Sequence, residues 1–161
     1  MAVAPAYWLS NSLLAIETLL ANCATYQVLM GVSTVQAARD KTIWQSSRTA
    51  AGAAPYAIIQ IRSGVEGENE ALRVVQHTDA IAVYLRWNTQ KQTGDSEKDM
   101  ATRELNSFGN LLSDIAALVG TGTDKPIRAL RTWEAPERIS DTDETGTTDA
   151  WDATITFTWE I

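Results

Sequence analysis

The segment that most restricts the fold is WDATITFTWEI, residues 151–161. Trp151, Ala153, Ile155, Phe157, Trp159 and Ile161 fall on one parity; Asp152, Thr154, Thr156, Thr158 and Glu160 fall on the other. Successive side chains of a strand point to opposite faces, so this alternation specifies a strand with one apolar and one polar face. Burying Trp151, Phe157 and Trp159 removes roughly 500 Å² from water, about 12 kcal/mol as an upper bound. Ordering eleven residues costs roughly 16 kcal/mol. Such a strand does not hold itself. Its odd face has to lie against a helical layer as core, leaving the threonine row for an open sheet surface or a polar contact with another chain.

Two stretches can supply that layer. Leu9, Leu13, Ile16 and Leu20 recur at 4-3-4 spacing behind Ser10-Asn11-Ser12, a cluster able to cap, which predicts an amphipathic helix. Ala101, Leu105, Phe108, Leu112, Ile115 and Val119 form a longer stripe at 4-3-4-3-4 spacing. Ser96 can cap this second helix, Glu97 and Asp99 suit its positive end, and Gly120 can stop it. A short helix is expected at STVQAARD, where Ser33 and Gln36 have the spacing of a capping box.

Between and after these lie the strands. TIWQSSRTAAGAAP, residues 42–55, loses periodicity and reads as a loop. PYAIIQIRS is rich in β-formers, with Pro55 at a strand start; GVEGENE reads as a turn. ALRVVQHTDAIAVYLRWN holds either two strands bent at His77-Thr78-Asp79 or one long strand. NTQKQTGDSE contains no apolar residue and predicts a mobile loop. PIRALRTW is a strand, followed by an acidic loop over 134–149 and the closing strand. The order predicts a single α+β domain over 1–161: an antiparallel or mixed β-sheet with helices packed on one face, in two layers.

Charge is unevenly placed. Residues 1–133 carry twelve acids and twelve bases, whereas residues 134–161 carry eight acids and only Arg138, which accounts for the net −7. That balance argues against gripping nucleic acid, which runs on Lys and Arg. The apolar stretches are too short for a membrane span, and MAVAPAYWLS has no basic segment of a secretory signal. Cys23 is the one cysteine, which excludes an internal disulfide and a thiolate metal cluster; its position suits a small buried apolar group.

Catalytic patterns are missing from the sequence. His77, the single histidine, has no acid or nucleophile at motif spacing, and no nucleophile elbow or phosphate-binding glycine loop occurs. Trp8, Trp44, Trp87 and Trp133 fall mostly at element ends and suit a core or an interface. In DTDETGTTDAWD, Asp141, Asp143, Thr145, Gly146, Asp149 and Asp152 occupy positions 1, 3, 5, 6, 9 and 12 of an EF-hand-like loop. Asp at position 12, Thr at position 5 and a following strand instead of a helix weigh toward a solvated hairpin loop. No metal and no cofactor is expected.

The layout of the whole chain resembles the tail terminator (tail completion, head–tail joining) family of tailed bacteriophages. The N-terminal helix, the strands around AIAVYLRW, the helix ATRELNSFGNLLSDIAALVG, PIRALRTWE and WDATITFTWEI carry the resemblance. It implies a helix-backed sheet assembled with itself as a hexameric ring, without enzymatic activity, bound to the tail tube protein and to a neck or connector protein. It places the chain in the virion, and in the host cytoplasm during assembly. Asn88, Gln90 and Lys91 in the polar loop, and Thr154, Thr156 and Thr158 on the polar face, are then the expected interface residues. Acid repeated around the ring would let DNA pass through the channel without specific binding. Two other readings stay open: another neck or tail-tube component, and, from a different class, a small α+β cellular enzyme or ligand-binding domain.

Overall fold

The structure of the chain, a computed structural model, describes residues 8–46, 51–69, 74–119, 127–143 and 146–160. Among the described residues four helices and five strands follow one another: α1 Trp8–Ala21, α2 Ala24–Leu29, α3 Val35–Asp40, β1 Thr42–Trp44, β2 Tyr56–Asn69, β3 Val74–Asn88, α4 Glu97–Leu118, β4 Ile127–Asp143 and β5 Gly146–Glu160. The strands form one sheet in the order β1-β2-β3-β5-β4. β1 runs parallel to β2 and every other pairing is antiparallel, so the sheet is mixed and the architecture α+β.

β5 fulfils the alternation that its sequence sets. Trp151, Ala153, Ile155 and Phe157 are buried in one cluster with Leu13, Ile16 and Leu20 of α1 and Phe108, Leu111 and Ile115 of α4. Its ladder neighbour β3 contributes Ile81, Val83, Leu85 and Trp87 to the same face. The helical layer therefore covers one side of the sheet, as the paired stripes require. The side chains of Thr158, Trp159 and Glu160 lie outside the described residues, as does Ile161.

Several expectations need correction. α1 begins at Trp8, so Ser10-Asn11-Ser12 lies within the helix, and Ser12 is buried. The short helix is capped by Thr34, whose hydroxyl accepts from the Ala37 N–H at 3.1 Å; Ser33 is one residue too early. In α4 the buried line is Met100, Glu104, Phe108, Leu111 and Ile115, turned from the expected stripe, and Leu105 is 47% exposed. The helix buries a polar Glu104 where an apolar count skips it. Its Ser96–Asp99 capping box is present; Gly120 lies outside the described residues.

Residues 42–44 are not loop but strand β1, held by the β2 ladder and by a buried chain of hydroxyls. Thr42 Oγ1 donates to the Ala38 carbonyl at 3.0 Å, so Tyr26 Oη donates to Thr42 at 2.8 Å. Desolvation at that site pushes the Tyr26 phenol above its usual range. α2, with Tyr26 and Leu29 buried, is too short to have shown a period. GVEGENE is no turn through Asn69: Gly64–Asn69 continues β2 and pairs with Val74–Asp79. Of the two readings left open for residues 71–88, the single strand holds, β3 running through His77; the expected acidic loop is strand as far as Asp143.

These extensions give the sheet two hairpin arms. β5 matches β3 only from Thr78↔Glu160 to Asn88↔Ala150. The β2–β3 ladder continues past Thr78 to Val74, and the β4–β5 ladder continues past Ala150 to Gly146. At about 3.3 Å per residue each ladder overruns by roughly 13 Å, at opposite ends of the sheet.

Candidate functional site

The end of β3 and the start of α4 are joined by Thr89–Ser96, the segment expected to be mobile. It is instead tied down along its length. The Thr89 N–H donates to the Asp149 carbonyl at 3.0 Å, and its hydroxyl to Asp149 Oδ1 at 2.9 Å. The Gln90 N–H donates to Glu104 Oε1 at 3.0 Å, while Trp87 Nε1 donates to Glu104 Oε2 at 2.6 Å. Arg103 forks onto both Asp95 oxygens at 2.8 Å and also donates to the Gln90 carbonyl. Gly94 supplies the positive φ of 85° that the turn requires. A polar loop is held because the buried Glu104 of α4 and the half-buried Asp149 of β5 need its donors as much as it needs their acceptor oxygens.

Asp149 is the centre of this clamp. Arg138 of β4 contacts it with Nε at 2.9 Å and Nη2 at 2.8 Å, and Lys91 Nζ stands 3.0 Å away. Arg138 also reaches Glu97 at the first turn of α4. The Arg138 guanidinium, then Lys91 and Thr89, hold the Asp149 carboxyl far below the usual carboxylate range. Arg103 and the Gln92 N–H lower Asp95 in the same way. Two arginines thus fasten β4, β5, the 89–96 segment and α4 into one rigid shoulder.

On the side of the sheet away from the helices, register aligns residues in rows. Tyr56, Arg86, Asp152 and Glu137 form one row across β2, β3, β5 and β4; Ile58, Tyr84, Thr154 and Glu134 form the next. Arg86 binds Asp152 through Nε at 2.6 Å and Nη2 at 2.8 Å, and its guanidinium lies 5.8 Å from the Tyr56 ring centre. Arg62 lies 5.9 Å from the Tyr84 ring centre. Arginine over tyrosine gains from the ring quadrupole while leaving donors on the surface.

The expected interface residues separate into two places. Asn88 and Gln90 are exposed at the end of β3, with Asn88 Nδ2 donating to the Ala54 carbonyl at 3.4 Å. Lys91 is spent on Asp149. Thr154 and Thr156 are half-buried on the face away from the helices, and the Thr158 side chain lies outside the described residues. The Arg86–Asp152 and Arg138–Asp149 pairs escaped sequence reasoning because 66 and 11 residues separate their members.

The described residues of the EF-hand-like spacing fall on two paired strands. Asp141 and Asp143 lie on β4, Asp149 and Asp152 on β5, with Asp149 held by Arg138 and Asp152 by Arg86 on the opposite face. Among the described residues no three His, Cys, Asp or Glu side chains gather as metal ligands. Cys23 is buried, its Sγ 3.0 Å from Thr25 Oγ1. Among the described residues no helix is long and apolar enough to cross a membrane. Comparison with models of known protein families gives no match, and comparison with curated proteins gives none.

Proposed function

We propose that this chain is a structural subunit of a tailed-bacteriophage virion, assembling with itself as a ring, a hexamer in the family it resembles, that caps the tail tube and joins it to the neck. The observation that carries the reading is the pair of hairpin arms leaving opposite ends of one helix-backed sheet. A ring subunit sitting between two different structures needs a rigid body with a projection toward each, and main-chain edges on such projections are ready-made docking rails. The shoulder at Asp149 supports it, since a fixed 89–96 segment costs little ordering entropy on contact. The acid of the β4–β5 arm, repeated around a ring, would repel phosphate and leave DNA free to slide.

Native mass spectrometry and negative-stain electron microscopy of the purified chain test the assembly. The expected result is a closed ring with a central channel; a strict monomer at several hundred micromolar, alone and with the tail tube protein of the same genome, refutes it. Particles lacking the protein then identify its place. Tails of abnormal length indicate a terminator, whereas normal tails beside leaking heads indicate another neck component.

A further inference from the structure

The sheet face away from the helices is covered unevenly. Over β2, Gln60 Nε2 donates to the Ser46 carbonyl and Asn88 Nδ2 to the Ala54 carbonyl, and Tyr56 and Ile58 are buried. Farther across, Tyr84, Thr154 and Thr156 are half-buried, and Thr132, Glu134 and Glu137 of β4 are exposed. Register sets Ala82, Thr156 and Thr132 in one row and Tyr84 and Thr154 in the next, so the middle of the face holds small or neutral side chains. A sheet face turned to water ordinarily carries polar and charged groups along its length. Here unpaired charge is confined to the two margins.

Those margins have opposite sign. On the β2 side Arg62 is exposed, its guanidinium steadied 5.9 Å from the Tyr84 ring centre and by an Nη1 hydrogen bond of 3.3 Å to Gln60 Oε1. On the β4 side Glu134 and Glu137 oppose Thr154 and Asp152 in the ladder, and an open groove of about 340 Å³ lies between them beside Pro136. Asp152 already has Arg86, so the free charge of that margin is the two glutamates. Among the described residues Arg62, Glu134 and Glu137 make no ion pair.

We infer that this face packs against the same face of a second copy of the chain, with Arg62 of each copy opposite Glu134 and Glu137 of the other. A two-fold axis lying along the strands exchanges the β2 and β4 margins and keeps every row at its own level, so both margins find their opposite charge. An axis across the strands would set Arg62 on Arg62. Charge therefore selects both the occupant and the axis, and the contact is isologous. Sheets packed face to face lie about 10 Å apart with their strands within about 30°, an approach that Ala82 and Thr156 near the axis leave unobstructed. Three strands, β3, β5 and β4, over the length that β3 and β5 share present roughly 500 Å² per copy. The pair then buries about 1,000 Å², the size at which an interface becomes specific. The pairing goes beyond the ring reading: it sets copies back to back and does not itself close a ring.

The test uses the full chain and reads its association by analytical ultracentrifugation. Arg62→Glu, the pair Glu134→Arg with Glu137→Arg, and Thr156→Lys near the axis should each raise the dissociation constant of the pair at least about 30-fold, since like charges then face each other. All three should keep the wild-type circular dichroism. An equimolar mixture of the Arg62→Glu chain and the Glu134→Arg, Glu137→Arg chain faces opposite charges at both margins, so it should associate as wild type does. Wild-type association that none of these variants weakens overturns the pairing, and a ring found in that case leaves the ring reading standing. Pairing that Arg62→Glu abolishes and the mixture restores, in a chain that forms no ring, upholds the pairing and removes the ring. A wild-type chain that stays monomeric at several hundred micromolar overturns the pairing.

Discussion

Glu104 is the side chain on which the shape of the β3–α4 shoulder turns. It is 2% exposed, and each of its oxygens accepts a hydrogen bond, from Trp87 Nε1 and from the Gln90 N–H. Glu104→Ala strands both donors. A donor left unsatisfied costs roughly 1–3 kcal/mol, so the pair sums to roughly 2–6 kcal/mol, offset in part because the buried carboxylate no longer has to be desolvated. We expect a net loss of about 3 kcal/mol, which in a chain of this length lowers Tm by roughly 6–12 °C. Urea unfolding gives the loss directly, through a shift in midpoint at constant m. The Trp87→Phe background isolates the indole bond: there Glu104→Ala should cost about 1.5–3 kcal/mol less, the worth of a hydrogen bond to a charged group. Amide exchange at Gln90 should accelerate in Glu104→Ala and stay slow in Trp87→Phe. A cost below about 1 kcal/mol with the Gln90 amide still protected would refute the anchoring role, because two stranded donors cannot be that cheap.

Three further outcomes follow from the same packing. Leu111→Ala should cost about 2–5 kcal/mol and Leu105→Ala about 1 kcal/mol or less; equal losses in urea unfolding would mean that α4 is not turned as described. Ser96→Ala removes the hydroxyl that accepts from the Asp99 N–H and should cost about 1 kcal/mol, while Ser96→Asp should stay close to wild type. The Asp149 carboxyl titrates below its ordinary value when folded, so the stability it adds is complete above about pH 4 and disappears as pH falls toward that lower value. Thermal melts from pH 6 to 2 should therefore fall less steeply in Asp149→Asn than in wild type, and parallel curves would show that Arg138 does not stabilise the ionised form.

Much of the fold was readable because local periodicity and global burial agree. The alternation of 151–157 and the spacing of Leu13, Ile16 and Leu20 specify faces that can only be satisfied against each other, and they meet in one core. Reading failed where contacts at long range replaced local chemistry. Gly64, Gly67 and Pro136 look like turn residues, yet the partner strand draws them into ladders, with Pro136 taken up in the irregularity between Glu134 and Glu137. The loop 89–96 looked free because the partners that hold its first residues are distant in sequence. The partners are Glu104 and Asp149, 14 and 60 residues away from the groups they bind.

By itself, then, the sequence determined the two-layer principle: which residues form a helix stripe, which form a two-faced strand, and that each needs the other to leave water. Period and parity are properties of neighbouring residues, so a linear chain carries them in full. Only the tertiary structure decided the strand order, the arms at opposite ends and the fates of the acids. A carboxylate such as Asp149 or Asp152 looks the same in a linear chain whether water or an arginine neutralises it. Which one does is settled when the ladder sets Arg86 opposite Asp152 and brings Arg138 within reach of Asp149.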